Sequence, residues 1–285
     1  MTDSPPKPKD VLALAGLKPK KSWGQNFLMD QNILAIIAGH ALNKRSIRVL
    51  ELGPGTGALT WHLLKQGGEV LAIERDREIV PVLRKVFEWA EGLEVREQDA
   101  AKLDYAALRE EIGHPLTVVG NLPYQISSRI LVSVTQAYQH VDRIVVMIQK
   151  EVAERLVAGP GSKTYGLLSV LVQRRFHGRI ARNVPPQAFH PPPKVHSSVV
   201  VLTRKEQETG GPDDKSFEKV VRAAFAMRRK TLRNTLSRGL ALKADEVVEI
   251  LESLGIDPGL RAERLSLEQF IQISAALESR MENQA

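Results

Sequence analysis

Short runs of apolar, mostly β-branched residues alternate with helical patterns of apolar residues across the first two-thirds of the chain. The apolar runs predict strands at 47–52, 70–74, 93–99, 116–121 and 143–149. The segments between them predict helices at about 58–66, 77–89, 104–111, 127–136 and 150–158. Alternation of this kind is typical of an α/β fold, in which a parallel sheet carries helices on both faces.

The pattern changes around residue 185, where prolines become frequent. The segments "FHGRIARNV" (176–184) and "SSVVVLTRK" (197–205) predict two antiparallel strands. They are joined across the proline-rich "PPQAFHPPPKVH" (185–196), which cannot itself continue a sheet ladder.

The last quarter of the chain predicts a small helical domain. The polar segment "RKEQETGGPDDKS" (204–216) breaks the periodicity and predicts a linker at 206–213. Beyond it, apolar residues recur at helical spacing, and "SLEQ" predicts a capping box with Ser266 as N-cap and Gln269 at N3. The sequence therefore predicts a large α/β domain at 1–205, which includes an N-terminal extension, and a small helical domain at 214–285.

Length, charge and composition narrow the class of protein. A chain of 285 residues favours one large domain with a smaller companion. The absence of a signal-peptide pattern and of any long apolar run predicts a cytoplasmic protein. The lack of cysteine excludes disulfides and thiolate chemistry. A net charge of +7 and a pI of about 9.6 favour a polyanionic partner, although many basic proteins bind none.

The glycine-rich "VLELGPGTGALT" (49–60) joins the first predicted strand to the first helix. Gly53, Gly55 and Gly57 allow a tight turn and a close approach to a ligand, so the loop predicts a nucleotide-like cofactor. It also satisfies the loose dinucleotide pattern, and an ordinary glycine-rich turn remains an alternative. Glu74 and Asp99 end the next two strands, where a carboxylate can bind a ribose and an adenine amine, respectively.

The segment "NLPY" follows the fourth predicted strand at the same edge of the sheet. There, the Asn121 side-chain oxygen and a backbone carbonyl can accept both N–H bonds of an exocyclic amine, which aims its lone pair at a methyl donor. Tyr124 can stack on the base, and Pro123 stiffens the loop between them. A helix entry with a buried tyrosine is the alternative interpretation.

Two other motifs carry no prediction. The segment "AGPGSKTYG" (158–166) lacks the order of a P-loop and follows a helix rather than a strand. The seven histidines are scattered without a ligand spacing, so the sequence predicts no metal site.

The chain resembles the KsgA (RsmA) family, the small-subunit (16S) ribosomal RNA adenine N6,N6-dimethyltransferases. The resemblance covers nearly the whole chain and rests on motifs in family order: "KSWGQNFLMD", "ELGPGTGALT", "ERD", "QDA", "NLPYQISS", "PPQAFHPPPKVHSSVV", "AFAMRRKTLRNTL" and "GIDPGLRAERLS". It implies a class I S-adenosylmethionine-dependent methyltransferase fold, Rossmann-like with a mostly parallel seven-stranded sheet, and a small C-terminal all-helical domain. It also implies dimethylation of two adjacent adenosines in the 3′-terminal hairpin of that RNA, within the small ribosomal subunit or its precursor.

The resemblance also assigns site residues. The residues that would bind S-adenosylmethionine are Asn26, Leu28, Gly53, Gly55, Glu74, Asp99 and Asn121. Asn121 and Pro123 would form the catalytic loop, and the rings of Tyr124 and Phe189 would sandwich the target base. Enzymes that methylate large-subunit RNA and confer resistance are close relatives, but the motifs resemble them less.

Three basic stretches predict RNA contacts, because they contain no acidic residue. The first carries Arg174, Arg175, Arg179 and Arg182. The second carries Arg228, Arg229, Lys230, Arg233 and Arg238. The N-terminal stretch adds Lys18, Lys20 and Lys21. Solvated charged faces are the alternative.

Two other functions compete with the methyltransferase. One is a ribosome-assembly or RNA-binding factor that has lost catalysis, which would have no need of Glu74, Asp99 and "NLPY". The other is an NAD(P)-dependent oxidoreductase, which rests on the glycine loop alone. Nothing in the sequence requires more than a monomer.

Overall fold

The computed structural model describes residues 4–20, 23–42, 47–206 and 211–282. Its centre is a seven-stranded sheet with the strand order β4-β3-β2-β5-β6-β9-β7. These strands are β2 (Arg48–Leu52), β3 (Glu69–Glu74), β4 (Leu93–Glu97), β5 (Leu116–Asn121), β6 (Val141–Gln149), β7 (Phe176–Val184) and β9 (Ser197–Arg204).

The sheet is mostly parallel, as the alternation of strands and helices predicts. β2 to β6 pair in parallel, whereas β9 runs antiparallel to both β6 and β7. The inner strands are buried along almost their whole length because helices cover both faces, which explains their continuous apolar runs. The predicted fold class and the predicted antiparallel pair are confirmed.

Seven α-helices lie in the described residues up to position 157, and the first two of them precede the first strand of the large sheet. They are α1 (Pro8–Leu14), α2 (Gln31–Ala41), α3 (Ala58–Lys65), α4 (Ile79–Val86), α5 (Tyr105–Ile112), α6 (Ser127–Gln136) and α7 (Lys150–Val157). The apolar face of α2 packs on the sheet, where Ile37 and Ala38 share a core cluster with Val145 and Val201. Among the described residues, no helix combines the length and the apolar composition needed to cross a membrane.

A second, two-stranded sheet brings two distant motifs together. β1 (Phe27–Leu28) pairs antiparallel with β8 (Phe189–His190). The "QNFL" segment therefore lies against the proline-rich segment, although more than 150 residues separate them in the sequence.

The chain forms two compact units. Unit 1 contains the described residues of Met1–Ala153 and Phe176–Arg204, and unit 2 those of Glu154–Arg175 and Lys205–Ala285. The predicted domain boundaries differ from these units, because Glu154–Arg175 groups with the C-terminal helices rather than with the sheet. Residues 207–210 of the predicted linker lie outside the described residues.

Unit 2 is helical around its own core. Its helices after α7 are α8 (Leu167–Arg175), α9 (Asp214–Phe225), α10 (Leu232–Leu240), α11 (Ala244–Ser253) and α12 (Leu267–Glu282). Val170 of α8 is fully buried in a cluster with Phe217 and Phe270, which explains why this segment joins unit 2. The predicted capping box is confirmed: Gln269 N–H donates to Ser266 Oγ at 3.2 Å, and Ser266 N–H donates to Gln269 Oε1 at 2.9 Å.

Candidate active site

A pocket of about 320 Å³ lies at the carboxyl ends of β2, β3, β4 and β5. Parallel strands end at the same edge of a sheet, so the loops that follow them meet there. Nine predicted site residues line the pocket: Asn26, Leu28, Gly53, Gly55, Glu74, Asp99, Asn121, Pro123 and Tyr124. The volume is typical of a small-molecule site.

The glycine loop forms an open wall of this pocket. Gly53 has a φ of 70°, a left-handed conformation that favours glycine. A Cβ atom built on Gly53 would meet nothing closer than the Asn121 carbonyl oxygen, at 4.0 Å. The backbone at Gly53 is therefore accessible to a ligand that lies directly against it.

The Glu74 carboxylate is held beside the glycine loop. It is 8% exposed, and its two oxygens accept hydrogen bonds from Gly55 N–H at 3.1 Å and Asp76 N–H at 2.8 Å. Burial raises the pKa of Glu74, and these backbone hydrogen bonds oppose that rise. Since a carboxylate has about four acceptor sites, Glu74 retains the capacity to bind two ribose hydroxyls.

Asp99 occupies the corresponding position after β4. One side-chain oxygen, Oδ1, accepts a hydrogen bond from Ala101 N–H at 3.0 Å, which fixes the half-buried side chain at the start of a short 3₁₀ turn. The second oxygen is left to accept from an amino group. Gly53, Glu74 and Asp99 thus form three neighbouring parts of one wall, and their chemistry fits the adenosine moiety of S-adenosylmethionine.

Sequence reasoning missed one acidic residue of the pocket. Glu51 is 1% exposed, lines the pocket and accepts a hydrogen bond from Thr60 Oγ1 at 2.7 Å. Burial raises the pKa of its carboxyl to about 8, so this side chain is mainly protonated at neutral pH. The signal was present in the sequence as the one acidic residue within the run "RVLEL" (48–52).

A network of charged and amide side chains fixes the N-terminal segment beside the pocket. Lys20 Nζ contacts Asp76 Oδ1 at 2.6 Å and Glu78 Oε2 at 2.5 Å, and Gln25 Nε2 donates to Asp76 Oδ2 at 3.0 Å. The exposed ring of Trp23 contacts the cationic groups of Lys20 and Arg75, whose distances to the ring centroid are 4.9 and 5.1 Å. The segment that leads into "QNFL" is therefore attached to the end of β3.

Asn121 is oriented by this N-terminal segment. Its Nδ2 donates to the Asn26 carbonyl oxygen at 2.9 Å, and the Asn26 side chain in turn donates to the Gly24 carbonyl oxygen at 3.0 Å. Because the amide N–H is engaged with a backbone carbonyl, Oδ1 is the atom of Asn121 left to accept a hydrogen bond from a ligand.

The ring of Tyr124 is anchored to β9. Its hydroxyl lies 2.5 Å from Oγ of Ser197, a residue with 0% exposure, and the Tyr124 ring itself is half-buried at the pocket. Burial raises the pKa of the Tyr124 hydroxyl, against the opposing effect of Ser197. Pro123 separates Tyr124 from Asn121 and also lines the pocket, so the structure brings the predicted base-binding loop together.

Phe189 is the exception among the predicted target-base residues. It is 2% exposed, belongs to the core cluster that contains Leu28 and Val184, and does not line the pocket. The contact of this ring with the base opposite Tyr124 stays a prediction, and in this structure the ring is packed in the core. Pairing of β8 with β1 places Phe189 over the sheet core, where burial of the ring is favourable.

The first predicted basic stretch is not uniformly exposed, since Arg179 and Arg182 are exposed but Arg174 and Arg175 are not. Arg174 and Arg175 both form ion pairs with Asp214, and the Arg174 guanidinium lies 3.9 Å from the centroid of the Phe217 ring. These two arginines therefore stabilise unit 2, and their contact with RNA stays a prediction. An acid-free stretch of sequence gains an acidic neighbour when the chain folds.

The second basic stretch remains exposed. Arg228, Arg229, Lys230 and Arg233 are all exposed at or near the start of α10, and none of them has an ion-pair partner within the described parts of the chain. In the N-terminal stretch, Lys20 is engaged with Asp76, and Lys21 lies outside the described residues.

Comparison with known proteins places the chain in a family. The family model described as ribosomal RNA adenine dimethylase matches residues 16–279. The chain is 43% identical over 285 residues to Ribosomal RNA small subunit methyltransferase A of Anaeromyxobacter dehalogenans, covering 97% of this chain and 100% of that protein. It is 47% identical over 254 residues to the protein of the same name from Syntrophotalea carbinolica, covering 89% and 94% of the two chains.

A solved structure agrees with this relationship. A dimethyladenosine transferase from Plasmodium falciparum aligns with a TM-score of 0.72 and 27% identity, over 90% of this chain and 98% of that one. The full-length similarity is consistent with the geometry of the site, which has a pocket at the carboxyl edge of the sheet and a fixed Asn121 amide. The chain belongs to the ribosomal RNA adenine dimethylase family.

Proposed function

We propose that this protein dimethylates N6 of two adjacent adenosines in the 3′-terminal hairpin of small-subunit (16S) ribosomal RNA, within the subunit or its precursor. As a member of its family, the chain is a ribosomal RNA adenine dimethyltransferase that uses S-adenosylmethionine. The proposal specifies in addition which ribosomal subunit is the substrate, which position of its RNA is methylated and which residues bind the two reactants. The name shared by the two bacterial relatives supports the small subunit, and the resemblance of the motifs supports the hairpin.

The observation that carries the proposal is the fixed Asn121 amide in the pocket. Its Oδ1 would accept one N–H of the exocyclic adenine amine, and a neighbouring backbone carbonyl would accept the other. Both hydrogen bonds favour a pyramidal nitrogen, whose lone pair is then available for bond formation. Such a lone pair is otherwise delocalised into the adenine ring, which makes the amine a weak nucleophile.

The remaining pocket residues would position the two reactants. S-adenosylmethionine, when bound, supplies a methyl group on a positively charged sulfonium. Gly53, Glu74 and Asp99 would hold its adenosine part, and Asn26 and Leu28 would line its methionine end. Tyr124, held by Ser197, would stack on the flipped adenine and align N6. A C–N bond forms as the S–C bond breaks, and the amine proton then leaves to water, so the reaction needs no strong base.

The exposed basic residues near the start of α10 would contact RNA phosphates. These residues are Arg228, Arg229, Lys230 and Arg233. Reversal of the charges at Arg228, Arg229 and Lys230 should weaken binding to small subunits and lower its salt dependence. Unchanged subunit binding would contradict this assignment. We further place the protein in the cytoplasm as a monomer that acts in small-subunit biogenesis.

The test of the proposed function is methyl transfer from labelled S-adenosylmethionine to small subunits that lack the modification, followed by nucleoside analysis. We expect N6,N6-dimethyladenosine with the wild type and a loss of about 10²–10³-fold in rate with Asn121→Ala, the magnitude typical of losing one positioned hydrogen bond in a transition state. Asn32→Ala, which changes an exposed asparagine of α2, is the matched control.

The outcomes separate the enzyme from a binding-only assembly factor. Asn121→Ala should bind small subunits like the wild type, because the substitution removes a hydrogen bond to the base and leaves the basic surfaces unchanged. If the wild type bound small subunits but formed no dimethyladenosine, the proposal would be refuted and the binding-only assembly factor would be the remaining interpretation. Methylation of large-subunit RNA instead would refute the assigned substrate.

A further inference from the structure

A β-bulge in β7 brings positively charged side chains onto one face of the sheet. The pairing of β7 with β9 shifts between Ile180 and Arg182, so that Arg179 lies opposite Val201 and Arg182 opposite Val199. Val199 and Val201 are two residues apart, so their side chains project from the same face of the sheet. Arg179 and Arg182, which are paired with them, project from that face as well. In a regular strand, residues three positions apart such as Arg179 and Arg182 would project from opposite faces, so the bulge at Ala181 is what places both arginines on one face.

Arg143 of β6 belongs to the same face. Thr203 of β9 is paired with Arg143 of β6 on one side and with His177 of β7 on the other. Thr203 and Val201 are two residues apart on β9, so their side chains project from the same face of the sheet. Residues paired with them project from that face as well, which places Arg143 and His177 on the same face as Arg179. We define the β7 basic face by these four side chains: Arg143, His177, Arg179 and Arg182.

Positive charge on this face is not balanced by acidic groups. The Arg143 guanidinium is held by one hydrogen bond from Nε to the His40 carbonyl oxygen, at 2.8 Å. Burial and the charge of Arg179 lower the pKa of Arg143, and burial, Arg179 and Arg143 lower that of His40. No carboxylate contributes to either shift, and neither Arg179 nor Arg182 has an ion pair with any described residue. Mutually repelling charges kept together on an exposed surface favour a polyanion as the partner.

The face leads to the target-base tyrosine. Val184, two residues beyond Arg182 on β7, lies opposite Ser197 of β9, and Ser197 holds the Tyr124 hydroxyl. Two residues of a strand span about 6.6 Å, so Arg182 is close to the strand end at which Tyr124 is anchored. Arg179 continues the positive surface along the strand, away from the pocket, and His177 lies beyond it.

We infer that the β7 basic face binds the sugar–phosphate backbone of the RNA strand that continues from the target adenosine. The inference rests on the proposed function and extends it, because it assigns a path to the substrate strand along the catalytic unit. A nucleic-acid backbone fits this surface since it presents negative charges in a row, and since arginine binds phosphate in a bidentate manner.

The inference is tested with the double variant Arg179→Glu, Arg182→Glu in the full-length protein. The matched control is Lys85→Glu, Arg109→Glu, which makes the same change in net charge at exposed positions of α4 and α5. We expect the β7 variant to bind small subunits about tenfold more weakly and the slope of log affinity against log salt to fall by about 1.4 to 1.8, corresponding to two lost phosphate contacts. Its affinity for S-adenosylmethionine should not change.

A second variant guards against a folding defect. Arg179→Lys, Arg182→Lys keeps the charge and should recover most of the binding and the salt slope. Equal weakening by the control pair, or wild-type binding by the glutamate variant, overturns the inference. Product formation by the wild type in the same samples tests the proposed function separately, so its failure cannot be confused with failure of the β7 basic face.

Discussion

Replacement of Glu51 by glutamine should change how the stability of the protein depends on pH. Glu51 lies within the sheet at the pocket, is 1% exposed and accepts a hydrogen bond from Thr60. Glutamine has nearly the same shape as the protonated carboxyl group and cannot ionise. The variant Glu51→Gln therefore isolates the cost of keeping an ionisable group in this position.

The magnitude follows from the pKa of the buried carboxyl. Folding raises the pKa of Glu51 from 4.5 to about 8, because burial disfavours the charged form. The protonated carboxyl contributes its full stability below the unfolded pKa. That stability is lost as the pH rises towards 8, at about 1.4 kcal/mol per pH unit, because the unfolded chain releases the proton first. At pH 7 the wild type has lost roughly 3 kcal/mol in this way, and the glutamine variant has lost none.

The measurement is urea unfolding at pH 5, 6 and 7, followed by tryptophan fluorescence. All three tryptophans, Trp23, Trp61 and Trp89, lie in unit 1 with Glu51, so the signal reports on the correct unit. The stability of Glu51→Gln relative to the wild type should increase by roughly 2.5 kcal/mol between pH 5 and pH 7, because the wild type has already lost a little under 1 kcal/mol at pH 5. The exposed Glu69→Gln is the control and should show no such trend. A constant difference between Glu51→Gln and the wild type would refute the assignment of a protonated Glu51.

Three further substitutions test the geometry of the site. Gly57→Ala should destabilise unit 1 by about 2–4 kcal/mol in urea unfolding, because φ is 85° and the new Cβ would lie 2.3 Å from Cε2 of Phe87. Lys20→Met should weaken equilibrium binding of S-adenosylmethionine about three- to tenfold, because it removes the ion pair that fixes the N-terminal segment. Ser197→Ala should lower kcat for RNA about tenfold, with cofactor affinity unchanged, because it releases the Tyr124 hydroxyl.

Each of these predictions has its own control. Gly159→Ala should leave stability nearly unchanged, since a Cβ at that position meets no atom within 4 Å. Lys18→Met changes an exposed lysine nearby and should not alter cofactor binding. Tyr124→Phe should have the same effect as Ser197→Ala, and the two should not add when combined, because both remove one hydrogen bond. Additive effects would contradict the anchoring of Tyr124.

Local patterns along the chain were enough to predict the fold class and most of the pocket. Apolar runs and helical periodicity depend on which side chains can be buried, so they locate strands and helices without knowledge of distant contacts. Parallel strands place their carboxyl ends at one edge, so residues that end different strands, such as Glu74, Asp99 and Asn121, could be assigned to one site before the structure was known.

The tertiary structure determined those properties of a residue that depend on partners distant in the sequence, such as its ion pairs and its burial. Arg174 and Arg175 are paired with Asp214, nearly 40 residues away, and Phe189 is buried through the pairing of β8 with β1. The pKa of Glu51 depends on burial by elements from several parts of the chain. A single bulge next to Ile180 determines which arginines share a face. Charge, burial and side-chain direction are set by neighbours in space, and a linear sequence specifies those neighbours only through the completed fold.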